Sequence, residues 1–217
     1  MELIQQLFDT LIHLSPESIN GFVSLVGSGL SYAVLFLIIF AETGLVITPL
    51  LPGDSLLFAV GAVTASRGSP IRVEVLAVLL VVAAILGDAV NYLIGYVVGP
   101  QVFTREDSRL LNKKHLLHAH EFYEKYGGIT IILARFVPIV RTFAPFVAGI
   151  GKMNYPRFAL YNITGGAAWV LSFLLAGWWF GAREVVQRNF HLVIVVIIVI
   201  SVTPGFVEYV RNRRGRQ

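Results

Sequence analysis

The chain has 217 residues, of which 56% are hydrophobic and only 14% charged, and its mean hydropathy is +0.74. Soluble domains carry about 25% charged residues, so the composition excludes a soluble enzyme or nucleic-acid-binding domain and points to one polytopic, all-α integral membrane domain. There is no cysteine, hence no disulfide, thiolate metal site or Cys nucleophile, and the net charge of +4 matters less than where the charges fall.

Residues 1–30 begin without a basic n-region, so no cleavable signal peptide is expected. Leu3, Ile4, Leu7, Phe8, Leu11 and Ile12 form one apolar stripe on a helix too short to span. With the weakly patterned stretch behind Ser15-Pro16, residues 1–30 read as an amphipathic interfacial segment. The membrane domain, 31–210, follows. In 31–65 an apolar run leads to Glu42-Thr43-Gly44, then to Pro49-x-x-Pro52-Gly53-Asp54, then to a second apolar run. Two spans need about 20 residues each plus a turn, so this stretch predicts a re-entrant hairpin. It breaks at Pro49, Pro52 and Gly53, and Asp54 or Ser55 caps the outgoing half-helix.

Residues 73–99 predict a full span that carries Asp88 and Asn91 on one face and closes in Gly95-x-x-x-Gly99. Residues 101–128 are polar and amphipathic, an interfacial helix. Residues 129–151 hold Arg135, Pro138, Arg141 and Pro145 in an apolar run and predict a second re-entrant hairpin broken at the prolines. Spans follow at 158–181, which closes in Gly177-x-x-x-Gly181, and at 192–210; residues 211–217 are a basic tail. Trp178, Trp179 and Tyr161 read as interface anchors.

Hairpin plus span therefore occurs twice, and one span between the hairpins makes them enter from opposite faces. That is the inverted-repeat plan of secondary transporters. With the tail in the cytoplasm, residues 101–126, 152–157 and 211–217 place eleven of the seventeen Lys and Arg on that side. Arg67, Arg72, Arg183 and Arg188 face the other way, which satisfies the positive-inside rule. The remaining two are Arg135 and Arg141, inside the membrane.

A cation at that depth costs at least about 2.5–3.5 kcal/mol, so it persists where it meets a partner, water or a ligand. The intramembrane ionisable set is Glu42, Asp54, Asp88, Arg135 and Arg141, the first two acids in one hairpin and both arginines in the other. If the hairpin tips meet, acids face bases. One reading is a structural ion-pair lock. The other is a polar site in which Arg135 and Arg141 offer planar forks to phosphate or carboxylate oxygens. Half-helix N-termini at Asp54 and near Thr142 would add partial positive charge. Desolvated Glu42 and Asp54 would exchange protons, and Asp88 and Asn91 would be accessory. His115, His118 and His120 lack an acidic partner, so no metal and no cofactor is expected. No Ser–His pair stands near the hairpins, so no catalytic residue is assigned and an enzyme is not expected.

Phe40-Ala-Glu42-Thr-Gly44, Pro49-x-x-Pro52-Gly53-Asp54, Gly87-Asp88-x-x-Asn91-Tyr92, Phe122-Tyr-Glu-Lys-Tyr-Gly127 and Ala134-Arg135-Phe-x-Pro138-x-x-Arg141-x-x-x-Pro145-x-x-Ala148-Gly149 closely resemble the bacterial DedA family, which is grouped with the eukaryotic VTT-domain lipid scramblases. The resemblance covers about Leu30 to Gly205. It implies a multi-pass protein of the bacterial inner membrane with two opposed re-entrant hairpins. It implies translocation of undecaprenyl phosphate, or of phospholipids such as phosphatidylethanolamine, between leaflets, with dependence on the proton-motive force. It also implies links to cell division and cationic-peptide resistance. Residues essential in the family fall on Glu42, Asp54, Arg135 and Arg141.

The expected function is thus a proton-dependent lipid transporter in which Arg135 and Arg141 bind a lipid phosphate while Glu42 and Asp54 exchange protons. Its expected partners are a polyprenyl phosphate or phospholipid, and protons, with no nucleic acid. The alternative is a proton-coupled antiporter or exporter of small ions or cationic compounds. An intramembrane enzyme or a structural partner of the division machinery ranks below both. The GxxxG faces leave a homo-oligomer open.

Overall fold

A computed structural model describes residues 16–45, 53–66, 68–102, 128–181, 183–190, 192–199 and 203. Helices are α1 (Pro16–Gly44), α2 (Gly53–Thr64), α3 (Val73–Val102), α4 (Ile129–Ala134), α5 (Pro138–Ile150), α6 (Tyr155–Gly181) and α7 (Glu184–Arg188). Residues 192–199 are also helical, and no strand occurs among the described residues. Three helical stretches, Ser18–Gly44, Val73–Val98 and Tyr155–Gly181, are long and apolar enough to cross a membrane. The all-α membrane class follows from these. The Leu3–Ile12 stripe, the breaks at Pro49 and Pro52, the bulk of the interfacial helix 101–128, most of the span 192–210 and the tail 211–217 lie outside the described residues.

Local chemistry explains where the elements begin and bend. Pro16 opens α1, a position that does not need its missing N–H. Gly27 divides α1, with φ 81° and ψ 161°, a conformation open to glycine. The Ser31 hydroxyl donates to the Gly27 carbonyl at 2.8 Å, meeting an acceptor at the bend. Residues 16–30, read from pattern as interfacial, therefore lie in the same element as the expected first hairpin arm. Their division is the Gly27 bend.

The second broken segment restarts at Pro138. Val137, forced out of the helical region by the proline behind it, is extended (φ −120°, ψ 107°), and Pro138 stands in the first turn of α5. Pro145 is different: it was expected to break the hairpin, yet it lies inside α5. It removes one N–H, the one owed to the Arg141 carbonyl, and buried helix neighbours make that tolerable. The helix N-terminus expected near Thr142 is accordingly at Pro138.

Two of the shorter helices are packed on long ones through glycine, α2 on α6 and α5 on α3. A Cβ at Gly61 would strike the Leu174 carbonyl and one at Gly177 the Phe58 carbonyl. A Cβ at Gly149 would strike the Tyr92 carbonyl and one at Gly95 the Phe146 carbonyl. In all four cases the carbonyl lies three residues before the partner glycine, so the two crossings have the same register. Backbones approach this closely only where small residues line the seam. α1 meets α3 the same way, Gly44 facing Gly87.

The outside of the bundle is apolar: Val78, Leu86, Leu93 and Val97 on α3 and Leu160, Ile163 and Trp179 on α6 are exposed. The inside holds an apolar core around Ile39, Leu57, Val60, Leu80 and Leu174, and beside it a set of buried charges. That distribution suits hydrocarbon as solvent, where ionisable groups turn to the bundle interior.

Candidate functional site

Arg141 lies one turn into α5 and is buried. Its Nη2 donates to Oε1 of Glu42, in the last turn of α1, at 2.6 Å. Its Nη1 donates to Oδ1 of Asp54, in the first turn of α2, at 2.7 Å. The guanidinium carbon stands 4.5 Å from the centroid of the Trp169 ring on α6, within the range of a cation–π contact. Four helices thus converge on one cation.

Both carboxylates have a second donor. Glu42 Oε1 accepts the backbone N–H of Gly53 at 3.1 Å. A carboxylate from α1 therefore satisfies the first orphan amide of α2, in place of the Asp54 or Ser55 cap expected from sequence. Gly53 suits this spot because a Cβ there would collide with the Glu42 carboxylate. Asp54 Oδ1 accepts Trp169 Nε1–H at 2.8 Å as well as Arg141.

Arg135 sits in the turn between α4 and α5. It does not face Glu42 and Asp54, which corrects the expectation that both arginines meet the acids of the first hairpin. Its Nη2 donates to Oδ2 of Asp88 on α3 at 2.5 Å. The same nitrogen donates to Oδ1 of Asn162 and to the Asn162 carbonyl at 3.3 Å. Asn162 in turn donates to the Ile85 carbonyl at 3.0 Å, tying α6 to α3. Gly165 and Gly166 provide a flat wall for the guanidinium: a Cβ at Gly166 would stand 3.4 Å from its carbon and two of its nitrogens.

Asn91, three residues from Asp88, links the two halves. Its amide donates to the Thr43 carbonyl at 3.0 Å and to the Thr142 carbonyl at 2.8 Å. It thereby pins the end of α1 and the start of α5 to α3. Among the described residues the buried side-chain atoms without a hydrogen-bond partner include Glu42 Oε2, Asp88 Oδ1, Asn91 Oδ1, Arg135 Nε and Nη1, and Arg141 Nε.

Glu42, Asp54, Asp88, Asn91, Arg135, Gly53 and Arg141, named from sequence, therefore all come together, in two adjoining clusters. Pro138 frames the Arg135 turn, and Pro145 lies a turn beyond Arg141. Sequence reasoning missed Trp169 and Asn162. Asn162 carried a signal, an amide inside an apolar span. Trp169 carried a weaker one, its depth: Trp178 and Trp179 lie exposed near the end of α6, whereas Trp169 lies mid-helix.

The VTT-domain family model matches residues 51–179. Protein DedA of Escherichia coli is 50% identical over 215 residues, which is 99% of this chain and 97% of that protein. An uncharacterized membrane protein of Mycobacterium tuberculosis is 44% identical over 211 residues, 97% of this chain and 89% of that one. The inner membrane protein YqjA of Escherichia coli is 31% identical over 224 residues, all of both chains. No solved structure gives a significant match.

Proposed function

The chain is a DedA-family member of the VTT-domain proteins, and from that premise we propose that it carries a phosphate-headed lipid between the leaflets of the bacterial inner membrane, with protons exchanged at the Arg141 site. The observation that carries this reading is the buried Arg141 fork, gripped by one carboxylate from α1 and another from α2. A guanidinium presents paired N–H groups that match phosphate oxygens as well as carboxylate oxygens. A lipid phosphate competes for the same donors when a carboxylate lets go.

Protonation supplies the release. Among the described residues the buried charges are three carboxylates, Glu42, Asp54 and Asp88, and two guanidiniums, Arg135 and Arg141. The set is neutral only with one proton aboard, and an uncompensated buried charge is costly. A proton on Glu42 weakens the grip on Arg141 and frees part of the fork. The headgroup then crosses through protein while the chains stay in the bilayer. Undecaprenyl phosphate and a phospholipid such as phosphatidylethanolamine present the same group to the fork.

The sequence reading gave the headgroup to both arginines. We assign it to Arg141, whose two carboxylates each keep another donor, and leave Arg135 with Asp88 and Asn162. We read the end of α1 with α2, and α4 with α5, as two re-entrant hairpins from opposite faces. The matched glycine crossings support that inverted repeat. The basic tail faces the cytoplasm by the positive-inside rule.

The test is the full chain in vesicles of phosphatidylethanolamine and phosphatidylglycerol. Wild type should flip a fluorescent phospholipid or polyprenyl phosphate, faster under an imposed pH gradient, and Arg141→Ala should abolish flipping while still inserting. Flux of a small cation with no lipid movement would favour the antiporter reading. A chemically altered lipid, seen by mass spectrometry, would favour an enzyme.

A further inference from the structure

Trp169 is buried in the core beside Val170 and Leu174, and packing alone would account for a large ring there. It does not account for two polar contacts made by the same indole. Nε1–H donates to Asp54 Oδ1, the oxygen that also takes Arg141 Nη1. The ring face lies under the Arg141 guanidinium.

The elements that carry these groups differ in how they are joined. Asp54 is on α2 and Trp169 on α6, and those two helices are fixed to each other by the Gly61 and Gly177 crossing, where no Cβ would fit. The Asp54–indole bond therefore lies within one helix pair. Arg141 is on α5, which is fixed to α3 by the Gly149 and Gly95 crossing. Its bond to Asp54 runs between pairs. When the guanidinium turns away, Asp54 keeps one donor from its own pair. A buried carboxylate stripped of every donor would bear the full desolvation penalty. Glu42 keeps the Gly53 amide in the same way, but that donor is backbone and cannot be substituted.

We propose that Trp169 is the positioning residue of the Arg141 site: its N–H holds Asp54 in place when the guanidinium turns to a lipid phosphate, so that Arg141 moves and the carboxylate stays. This rests on the lipid-transport reading, and two measurements separate the fates of the two ideas. In vesicles of phosphatidylethanolamine and phosphatidylglycerol, Trp169→Phe keeps a ring face and removes the N–H. Its half-saturating lipid concentration should rise about tenfold, the scale of one hydrogen bond to a charged group, with turnover per inserted molecule at saturating lipid unchanged. An unchanged half-saturating concentration overturns the proposal, and so does a fall in turnover with no loss of lipid affinity, which marks a packing role.

The second measurement is spectroscopic. The chain has three tryptophans, and Trp178→Phe with Trp179→Phe leaves Trp169 as the sole emitter. In detergent, dioctanoyl phosphatidic acid should shift its emission, and Arg141→Ala should remove the shift. Emission unmoved by saturating short-chain lipid overturns the proposal. If wild type flips no lipid, the transport reading falls and the emission alone decides whether Arg141 leaves the ring. Emission also decides if Trp169→Phe fails to insert.

Discussion

Arg135 and Arg141 stand six residues apart in one segment, both buried among apolar helices, yet they are held in opposite ways. Arg141 has two carboxylates from two helices, and each has another donor, Gly53 N–H or Trp169 N–H. Arg135 has one carboxylate, Asp88, whose second oxygen has no partner among the described residues. Remove Arg141 and the acids are still held; remove Arg135 and Asp88 is bare. A buried cation whose acceptors have other donors leaves at less cost than one whose acceptor has no other.

The largest effect should come from breaking the fixed pair. Asp88→Ala leaves Arg135 buried without its carboxylate, which should cost about 3–5 kcal/mol, read as a fall in thermal unfolding temperature in detergent. The double variant Arg135→Gln with Asp88→Asn should lose less than Asp88→Ala, since no charge is left unpaired. At the other site Glu42→Gln keeps its shape and leaves Arg141 the Asp54 carboxylate. Its stability cost should be about 1–2 kcal/mol, while lipid flipping stops; a loss as large as that of Asp88→Ala would erase the distinction between the sites.

The glycine crossings also rank below the Arg135 pair. Gly177→Val and Gly95→Val each drive a side chain into a facing carbonyl, and each should cost about 1–3 kcal/mol by overpacking. The two values should agree, because the registers agree; a wide difference would argue against a repeat. Smallest of all, Arg188→Ala removes only an exposed pair with Glu184, one helical turn away. Its cost should be about 0.5 kcal/mol or less, which sets the floor against which the buried pairs are judged.

The ionisable residues of both clusters were legible in the sequence because charge inside an apolar run is expensive and therefore stands out. Which acid meets which arginine was not legible. That depends on the turn at Arg135 facing α3 while α5 faces α1 and α2, and so on packing between segments distant in the chain. The two prolines looked alike as breaks, yet only Pro138 starts a helix; Pro145 forgoes a single hydrogen bond inside α5. Trp169 shares its residue type with Trp178 and Trp179, and only its mid-span position hints at the burial that separates it from them. The length of α1 was hidden because residues 16–30 lack a clear stripe and the chain bends at Gly27 rather than ending there.

The most direct test of the division between the two arginines is the lipid flip rate, per folded molecule in vesicles, of Arg141→Lys beside Arg135→Lys. A lysine keeps the charge and loses the planar fork. Arg141→Lys should be stable and inactive, and Arg135→Lys should be less stable but flip at the wild-type rate in the fraction that folds. Wild-type flipping by Arg141→Lys would contradict the assignment of the headgroup to that fork.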